Sequence, residues 1–303
     1  MNAFTMNDVV VKYGRKVALN GCSLEVPAGR LVALVGANGA GKTTLLNCIG
    51  GLEWPFSGNI SVLNNLEIGS LEARSRIAFV AQDSPLYRSL TIDQMVYLAA
   101  NLNEAFDRDL AYSRFRELEL VGKVKIKNLS LGQQAQVSLS IALGRHPDLL
   151  ILDEPLARLD PIARNRFMKI VLEAALEEGV SVVFSSHAIA ELEPVADYLI
   201  LLKNGQVSVA EDIDTFAKRH RILNGPTHLI DSLPRDLKVL DVRSAGRHSQ
   251  VLVQFDSAVQ LMTPEWESDD AQLEELILSY LTHESAVERK PSSDNVVALR
   301  SCM

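Results

Sequence analysis

A glycine-rich segment between residues 36 and 43 carries the strongest chemical pattern in the sequence. It reads GANGAGKT and matches the pattern G-x-x-x-x-G-K-[S/T]. Glycines let the backbone turn its N–H groups inward, and the N-terminus of a following helix also favours anions. In this pattern Lys42 is expected to reach the terminal phosphates and the Thr43 hydroxyl to bind Mg²⁺. The segment therefore predicts a nucleoside triphosphate site, without indicating what the hydrolysis drives.

Two adjacent acids form the second pattern. Residues 149–154 read LLILDE, so that four apolar residues lead directly into Asp153 and Glu154. A carboxylate at the end of a buried strand, beside a phosphate loop, is placed to hold Mg²⁺ directly or through water, and we assign this role to Asp153. Glu154 points elsewhere and is predicted to polarise the attacking water. The alternative interpretation is an exposed acidic turn before Pro155, which the nearby phosphate loop disfavours.

These residues need strands to present them and helices to connect the strands. Continuous apolar runs predict buried strands at residues 31–35, 77–81, 149–153, 180–185 and 198–202. Apolar residues at helical spacing predict helices at 43–49, within 84–129, at 128–143 and at 162–178. This alternation indicates a parallel sheet with crossover helices. Residues 1–30 instead read as β-rich, and Asn204-Gly205 predicts a hairpin into residues 206–210.

The chain changes character after about His220, where prolines separate short segments. Two strands and a helix are predicted in this part, at 239–242, 249–255 and 270–281. From residue 284 onward the sequence is polar, and we expect a flexible tail. The predicted domains are therefore 1–220, with a helical subdomain at about 84–145, an accessory domain at 221–283 and a tail at 284–303.

The composition excludes several classes of protein. The 303 residues include 30 basic and 38 acidic side chains, which give a formal charge of −8 and disfavour binding to nucleic acid phosphates. The mean hydropathy of +0.08 is slightly high, yet no apolar run is long enough to span a bilayer. The N-terminus does not read as a signal peptide, and three cysteines without metal-site spacing indicate reduced thiols.

Residues 129–134, LSLGQQ, complete the set of motifs. They stand just before a predicted helix and upstream of Asp153, and they resemble the LSGGQ signature of ATP-binding cassette (ABC) ATPases. Four further residues match this family in order and position: Tyr13 resembles the aromatic that stacks on adenine, Gln82 the Q-loop glutamine, Asp160 the D-loop aspartate and His187 the switch histidine. By itself, Tyr13 would be interpreted as an ordinary strand aromatic. The resemblance covers about residues 4–215.

The resemblance implies a fold and a set of site residues. The fold is α/β, with a P-loop NTPase core and mixed sheet, an N-terminal antiparallel β region, an α-helical subdomain and a small C-terminal α+β extension. The residues implied for ATP are Tyr13, Gly36, Asn38, Gly39, Ala40, Gly41, Lys42, Thr43, Thr44, Gln82 and His187, with Ser130, Gly132 and Gln133 acting in trans from a second subunit. The residues implied for Mg²⁺ are Thr43, Gln82 and Asp153. Those implied for catalysis are Glu154, His187 and Gln82.

The resemblance also implies partners. Two cassettes are expected to enclose ATP head to tail, as a homodimer or a heterodimer, and a permease on a separate chain is expected to place the protein at the cytoplasmic face of the membrane. Residues 83–92 and 272–278 resemble the cassettes of ABC-2-type exporters, although the latter are also interpretable as an ordinary packing helix. An importer subunit remains an alternative. A ribosome-associated cassette and a DNA-repair ATPase are disfavoured by the single cassette and the lack of a heptad insertion.

Two positions depart from the family pattern. Leu131 stands where the signature usually has glycine, and related exporters vary there. Arg158 precedes Leu159-Asp160, where a small residue is usual. This bulky cation is expected at the dimer interface, where it would pair with acids of the partner or alter the coupling between the two sites.

Overall fold

The computed structural model describes residues 1–82, 86–186, 194–234, 237–255 and 265–282, in two units, Met1–Thr215 and Phe216–Met303. The strands of the first unit are β1 (Asn2–Tyr13), β2 (Lys16–Pro27), β3 (Leu31–Val35), β4 (Ser57–Val62), β5 (Leu66–Glu67), β6 (Ile77–Val80), β7 (Leu149–Leu152), β8 (Ser181–Ser186), β9 (Tyr198–Lys203) and β10 (Gln206–Asp212). Its helices are α1 (Lys42–Ile49), α2 (Leu71–Arg76), α3 (Ile92–Leu102), α4 (Arg108–Glu117), α5 (Leu131–Leu143) and α6 (Pro161–Glu177), while α7 (Ile213–Lys218) crosses the boundary between the units.

A six-stranded mixed sheet forms the centre of the first unit, in the order β10-β9-β3-β8-β7-β6. Strands β3, β6, β7, β8 and β9 pair in parallel, and β10 pairs with β9 in antiparallel fashion. Every residue of β3, β7 and β8 is buried, as expected for parallel strands covered on both faces. Because parallel strands share one carboxyl edge, the segments that follow β3, β6 and β7 emerge on the same side of the sheet.

A second, antiparallel sheet of the first unit has the order β2-β1-β4-β5. Alternating burial along β1 and β2 indicates that one face packs on the core while the other meets solvent. Phe4, Met6 and Leu24 from this sheet join Leu45 and Leu46 of α1 in one hydrophobic cluster. The cluster thus holds the helix that follows the phosphate loop against both sheets.

The helical part of the first unit, between β6 and β7, has its own small core. Ile92 and Val96 of α3 pack with Phe115 of α4 and Val137 of α5. The buried Arg114 of α4 donates to the Glu178 carboxylate at the end of α6, with 2.8 Å between Nη2 and Oε1. This ion pair ties α4 to a helix that packs on the central sheet.

The second unit contains a four-stranded antiparallel sheet in the order β12-β13-β11-β14. Its elements are β11 (His220–Pro226), a 3₁₀ turn (Thr227–Ser232), β12 (Lys238–Ala245), β13 (His248–Gln254), β14 (Glu267–Asp270) and α8 (Leu273–Thr282). Leu223, Val251 and Trp266 lie in its core. His220 is completely buried, with Nδ1 2.6 Å from the Phe216 carbonyl oxygen and Nε2 2.9 Å from the Tyr280 hydroxyl.

The predicted fold class is confirmed, but several element boundaries were wrong. The helical spacing within 84–129 forms two separate helices, because capping side chains start α3 after Thr91 and α4 after Asp107. The helix predicted at 128–143 begins only at Leu131, after the Ser130 cap. The helix predicted from 270 begins at Leu273, since residues up to Asp270 pair with β11 instead. Sequence reasoning missed β4 and α2.

Two predicted features fall outside the described residues: His187 and the tail from residue 284. Part of the exporter-like segment, residues 83–85, does so as well. None of the helices in the described ranges combines the length and apolar character needed to cross a membrane.

Candidate functional site

The loop between β3 and α1 has a backbone path that requires glycine at two positions. A Cβ on Gly36 would collide with the Leu202 carbonyl oxygen of β9. Gly41, at the N-cap of α1, has a φ of 109°, and a Cβ there would lie 2.6 Å from the Ala18 carbonyl oxygen. Larger side chains would therefore push the loop away from the sheet and disturb the N–H groups that it presents.

The turn of the β9–β10 hairpin contacts the same loop. Asn204 and Gly205 both have positive φ, which is typical of a two-residue hairpin turn. The Gly205 N–H donates to the Ala40 carbonyl, with 3.0 Å between nitrogen and oxygen. The Asn204-Gly205 pair was predicted as a turn, but its contact with the loop could not be found from the sequence because the residues are far apart in the chain.

Lys42 begins α1 and is only 6% exposed. Its Nζ donates to the Gly36 carbonyl at 2.8 Å and to the Ala37 carbonyl at 3.4 Å, and it lies 3.9 Å from Glu154 Oε1. Burial lowers the pKa of Lys42, while the charges of Glu154 and Asp153 oppose that shift. The ammonium therefore lies among loop carbonyls and acids, where phosphate oxygens would be stronger, charge-assisted acceptors.

The end of β7 places Asp153 and Glu154 in different environments. Asp153 is 3% exposed, and its Oδ1 accepts a hydrogen bond from Ser185 Oγ of β8 at 2.7 Å. The backbone N–H of Glu154 donates to the same Oγ at 2.9 Å. Glu154 has a φ of 44°, in the left-handed region, so its side chain leaves the chain in another direction than a strand residue would.

The Glu154 carboxylate brings together residues from three segments. Its Oε2 accepts a hydrogen bond from Gln82 Nε2 at 3.1 Å, and its Oε1 faces Lys42. Gln82 follows β6, which lies beside β7 in the central sheet. The structure therefore unites Lys42, Gln82 and Glu154, which lie far apart in the sequence. A carboxylate held in this way could accept a proton from a water molecule.

A cleft of about 190 Å³ lies over the phosphate loop. Its lining residues are Tyr13, Lys16, Ala18, Asn38, Gly39, Gly41, Lys42, Thr43, Thr44 and Glu154. Tyr13 is 46% exposed, which leaves its ring surface available for stacking. Sequence reasoning had not singled out Lys16, which pairs with Tyr13 across the β1–β2 turn and adds a second cation to the cleft.

Oxygen donors at the site fit a hard cation. Thr43 offers a hydroxyl in the cleft, and Asp153 offers a carboxylate after the end of β7, which β8 separates from β3 in the central sheet. Mg²⁺ is commonly held by one or two carboxylates together with phosphate oxygens and water. The residues present therefore fit Mg²⁺ bound together with a nucleoside triphosphate.

The LSLGQQ segment forms the start of α5. Ser130 Oγ accepts from the Gln133 N–H at 3.2 Å, and Gln133 Oε1 accepts from the Ser130 N–H at 2.9 Å, which makes a reciprocal capping box. Gly132 packs so tightly on α6 that a Cβ would lie 2.6 Å from Ala163 Cβ. The cleft lining among the described residues includes none of Ser130, Gly132 and Gln133.

Asp160 caps the start of α6. Its Oδ1 accepts from the backbone N–H groups of Ile162 and Ala163, both at 3.0 Å. The neighbouring Arg158 lines a small cavity of about 30 Å³ together with Gln82 and Glu154. The segment that contains Arg158 and Asp160 thus connects the Glu154 region with the α6 N-terminus.

Comparisons with known proteins identify relatives that act in transport. The profile of the ABC transporter family matches residues 19–157. A lantibiotic transport ATP-binding protein of Streptococcus pyogenes is 30% identical over 213 residues, which cover 70% of this chain and 92% of that protein. A sulfate/thiosulfate import ATP-binding protein of Synechocystis sp. is 32% identical over 256 residues, which cover 80% of this chain and 71% of that protein.

Solved structures show the same architecture. An ATP-binding subunit of an ABC transporter superposes with a TM-score of 0.64 and 28% identity, over 71% of this chain and 92% of that one. An ATP-binding cassette in a dimeric, post-hydrolysis state bound to ADP and Pi superposes with a TM-score of 0.61 and 28% identity, over 69% of this chain and 98% of that one.

Proposed function

The chain belongs to the ATP-binding subunits of ABC transporters, and from this premise we propose how its residues act on ATP and what the hydrolysis drives. ATP hydrolysis is the activity of this family, so the chain is an ATPase. The contact of Glu154 with both Lys42 and Gln82 is the observation that carries the proposed mechanism. It joins the phosphate loop, the acidic strand end and the Q-loop position in one cluster.

Binding of ATP uses the loop and the cleft. Tyr13 stacks on the base, while the N–H groups of the loop, through Thr44, surround the phosphates. Lys42 exchanges the carbonyls of Gly36 and Ala37 for phosphate oxygens. These movements are local, because α1 is held by the hydrophobic cluster beneath it.

Hydrolysis uses groups on the carboxyl edge of the sheet. Thr43, Asp153 and Gln82 would hold Mg²⁺, which would supply positive charge next to the phosphate oxygens. Glu154 accepts the proton of the attacking water, and Gln82 orients both the water and the Glu154 carboxylate. His187 is proposed to donate a hydrogen bond to the terminal phosphate.

A second cassette completes each site in this proposal. Ser130, Gly132 and Gln133 contact the terminal phosphate of the partner's ATP, where the positive end of α5 favours the anion. Asp160 links the two sites across the interface. The exposed Ser130, the half-buried Gln133 and the dimeric state of a solved relative support this arrangement.

The hydrolysis is proposed to power export through a permease on a separate chain, at the cytoplasmic face of the membrane. The resemblance of residues 83–92 to exporter cassettes supports this direction. Import is the second candidate, because relatives that serve sulfate/thiosulfate and aliphatic sulfonate import also match. Co-purification and identification of the membrane partner, followed by transport in reconstituted vesicles, would decide between the two directions.

Glu154→Gln tests the catalytic assignment. The substitution keeps the size of the side chain and its ability to accept from Gln82, but removes the base. We expect phosphate release to fall by about 100-fold or more while ATP binding persists and the dimer becomes more stable. Glu72→Gln, on the exposed surface of α2, is the matched control. Turnover at the wild-type rate in Glu154→Gln would contradict the mechanism.

Lys42→Ala tests the phosphate site separately. Removal of the ammonium is expected to weaken nucleotide binding severely, because the loop carbonyls would then face the phosphates without a cation. Lys169→Ala, on the exposed face of α6, is the control. Nucleotide affinity and turnover both unchanged in Lys42→Ala would mean that the loop has another role.

A further inference from the structure

A buried hydroxyl, that of Ser185, contacts both acids at the end of β7. Ser185 lies in β8, and none of its surface is exposed. The register of β7 and β8 places Leu152 opposite Phe184, so Ser185 comes beside Asp153 at the carboxyl edge. A hydroxyl with no exposed surface needs a hydrogen-bond partner, since burial of a lone hydroxyl is unfavourable.

The Ser185 hydroxyl uses both of its hydrogen-bonding functions on this acidic pair. Its only proton is donated to Asp153 Oδ1 at 2.7 Å, because an ionised carboxylate can only accept. One of its lone pairs accepts the Glu154 N–H at 2.9 Å. One side chain therefore contacts the carboxylate of Asp153 and the backbone of Glu154 together.

These two bonds constrain different features of the site. The bond to Oδ1 fixes the rotation of the Asp153 carboxylate and so the direction of its second oxygen, Oδ2. The bond from the Glu154 N–H holds the backbone where the chain leaves β7 and enters the left-handed conformation of Glu154. Without this bond, a non-glycine residue would be expected to relax toward a more common conformation.

We propose that Ser185 is a positioning residue, which orients the Asp153 carboxylate toward Mg²⁺ bound with ATP and fixes the backbone from which the Glu154 side chain reaches Lys42 and Gln82. The inference rests on the proposed function, because it takes Asp153 as a Mg²⁺ ligand and Glu154 as the base. It adds a residue from the adjacent strand, β8, to the acidic pair that follows β7. Outer hydrogen bonds of this kind typically change metal affinity by about 10- to 100-fold when they are lost.

Ser185→Ala removes both bonds with little change in volume, and Ser185→Thr restores the hydroxyl. Ser181→Ala is a matched control, because Ser181 lies at the other end of the same strand, is 3% exposed and accepts a backbone hydrogen bond from Gly29 at 2.9 Å. Thermal melting checks that each variant is folded. Should Ser185→Ala unfold, Ser185→Cys replaces the hydroxyl with a somewhat larger thiol, which is only a weak donor.

Binding of a fluorescent ATP analogue is measured first in EDTA and then as MgCl₂ is added. Ser185→Ala is expected to bind the metal-free analogue within about twofold of the wild type but to need about tenfold more Mg²⁺ for half-maximal binding and hydrolysis. The kcat should fall while the KM for metal-bound ATP changes less. Ser185→Thr should return the Mg²⁺ requirement toward the wild type, and Ser181→Ala should not move it.

An unchanged Mg²⁺ requirement in Ser185→Ala, or an equal shift in Ser181→Ala, would overturn the inference. If Ser185→Cys has to replace Ser185→Ala, a Mg²⁺ requirement equal to that of the wild type would also overturn the inference. Failure of the proposed mechanism gives a different result, since Glu154→Gln would then hydrolyse ATP at the wild-type rate. Wild-type activity together with an insensitive Ser185 would remove only the positioning role.

Discussion

The buried His220 predicts a pH-dependent stability of the second unit. Burial is the largest cause that lowers the pKa of His220 from 6.5 to about 4, and the charges of Arg219 and Lys238 act in the same direction. A carbonyl can only accept, so Nδ1 donates to Phe216, and Nε2 of the neutral ring is left as an acceptor 2.9 Å from the Tyr280 hydroxyl, whose single proton is shared between Nε2 and Gln254 Oε1, 3.2 Å away. Protonation would remove that acceptor in a fully buried place.

The size and sign of the effect follow from proton linkage. Between pH 6.5 and 4 the unfolded chain binds a proton at this histidine, and the folded chain does not. The stabilisation is therefore complete above about pH 6.5 and is lost as the pH falls toward 4. A pKa difference of this size corresponds to about 3 kcal/mol in the free energy of unfolding.

The change to test is His220→Gln, with His228→Gln as the exposed control. The chain has two tryptophans, so Trp54→Phe in all variants leaves Trp266, in the core of the second unit, as the fluorescence reporter. Urea unfolding is followed at several pH values from 7.5 to 4. Subtracting the free energies of unfolding of His220→Gln at each pH cancels the contribution of the carboxylates, because these titrate in both proteins.

The reference and the His228→Gln variant should each lose about 3 kcal/mol more than His220→Gln across this range. His220→Gln is expected to be less stable at pH 7.5, since it loses the ring contacts with Phe216 and Tyr280. Parallel pH curves for the reference and His220→Gln would refute the reasoning, because they would mean that folding does not change the proton affinity of His220.

Three further substitutions test the packing that positions the site. Gly36→Ala forces the loop away from the Leu202 carbonyl, and nucleotide affinity measured by titration should fall by about tenfold or more; unchanged affinity would contradict the loop geometry. Asp160→Ala removes the α6 cap and should lower the free energy of unfolding by about 1 kcal/mol in urea titrations, with Asp160→Asn recovering most of it. Arg114→Met should cost about 1–2 kcal/mol in the same assay, because it removes the charge-assisted hydrogen bond from the buried Arg114 to the exposed Glu178. Adding Glu178→Gln to Arg114→Met should cost little more, and an additive double variant would argue against coupling.

The sequence was most informative where the residues of a motif are consecutive in the chain. The phosphate loop and the acid pair each occupy a few consecutive residues, with a buried strand before them, so their place at the carboxyl edge of a parallel sheet could be predicted. The fold class followed from the same alternation of strands and helices. The contact between Gln82 and Glu154 could be expected only through the family resemblance, because it joins the ends of two different strands.

Contacts that depend on tertiary structure could not be predicted. The bond between Ser185 and Asp153 depends on the register of β8 against β7, and the two serines at the end of β8 match no motif that would predict it. Strand β4 contains glycine and asparagine, and its pairing with β1 rather than its own propensity makes it a strand. The start of α5 was misplaced because apolar spacing alone does not mark a cap.

The capping box at the start of α5 has a consequence for binding an anion. The Ser130 oxygen uses a lone pair to cap the helix, while its proton takes no part in that bond; Gln133 likewise caps through its carbonyl oxygen and keeps both amide protons. The cap thus uses the acceptor oxygens of these two side chains, whereas a phosphate would accept hydrogen bonds from their donor groups. The two demands do not compete, so an anion could be taken up without unwinding the first turn. An aspartate would cap equally well but would offer no proton and a repelling charge.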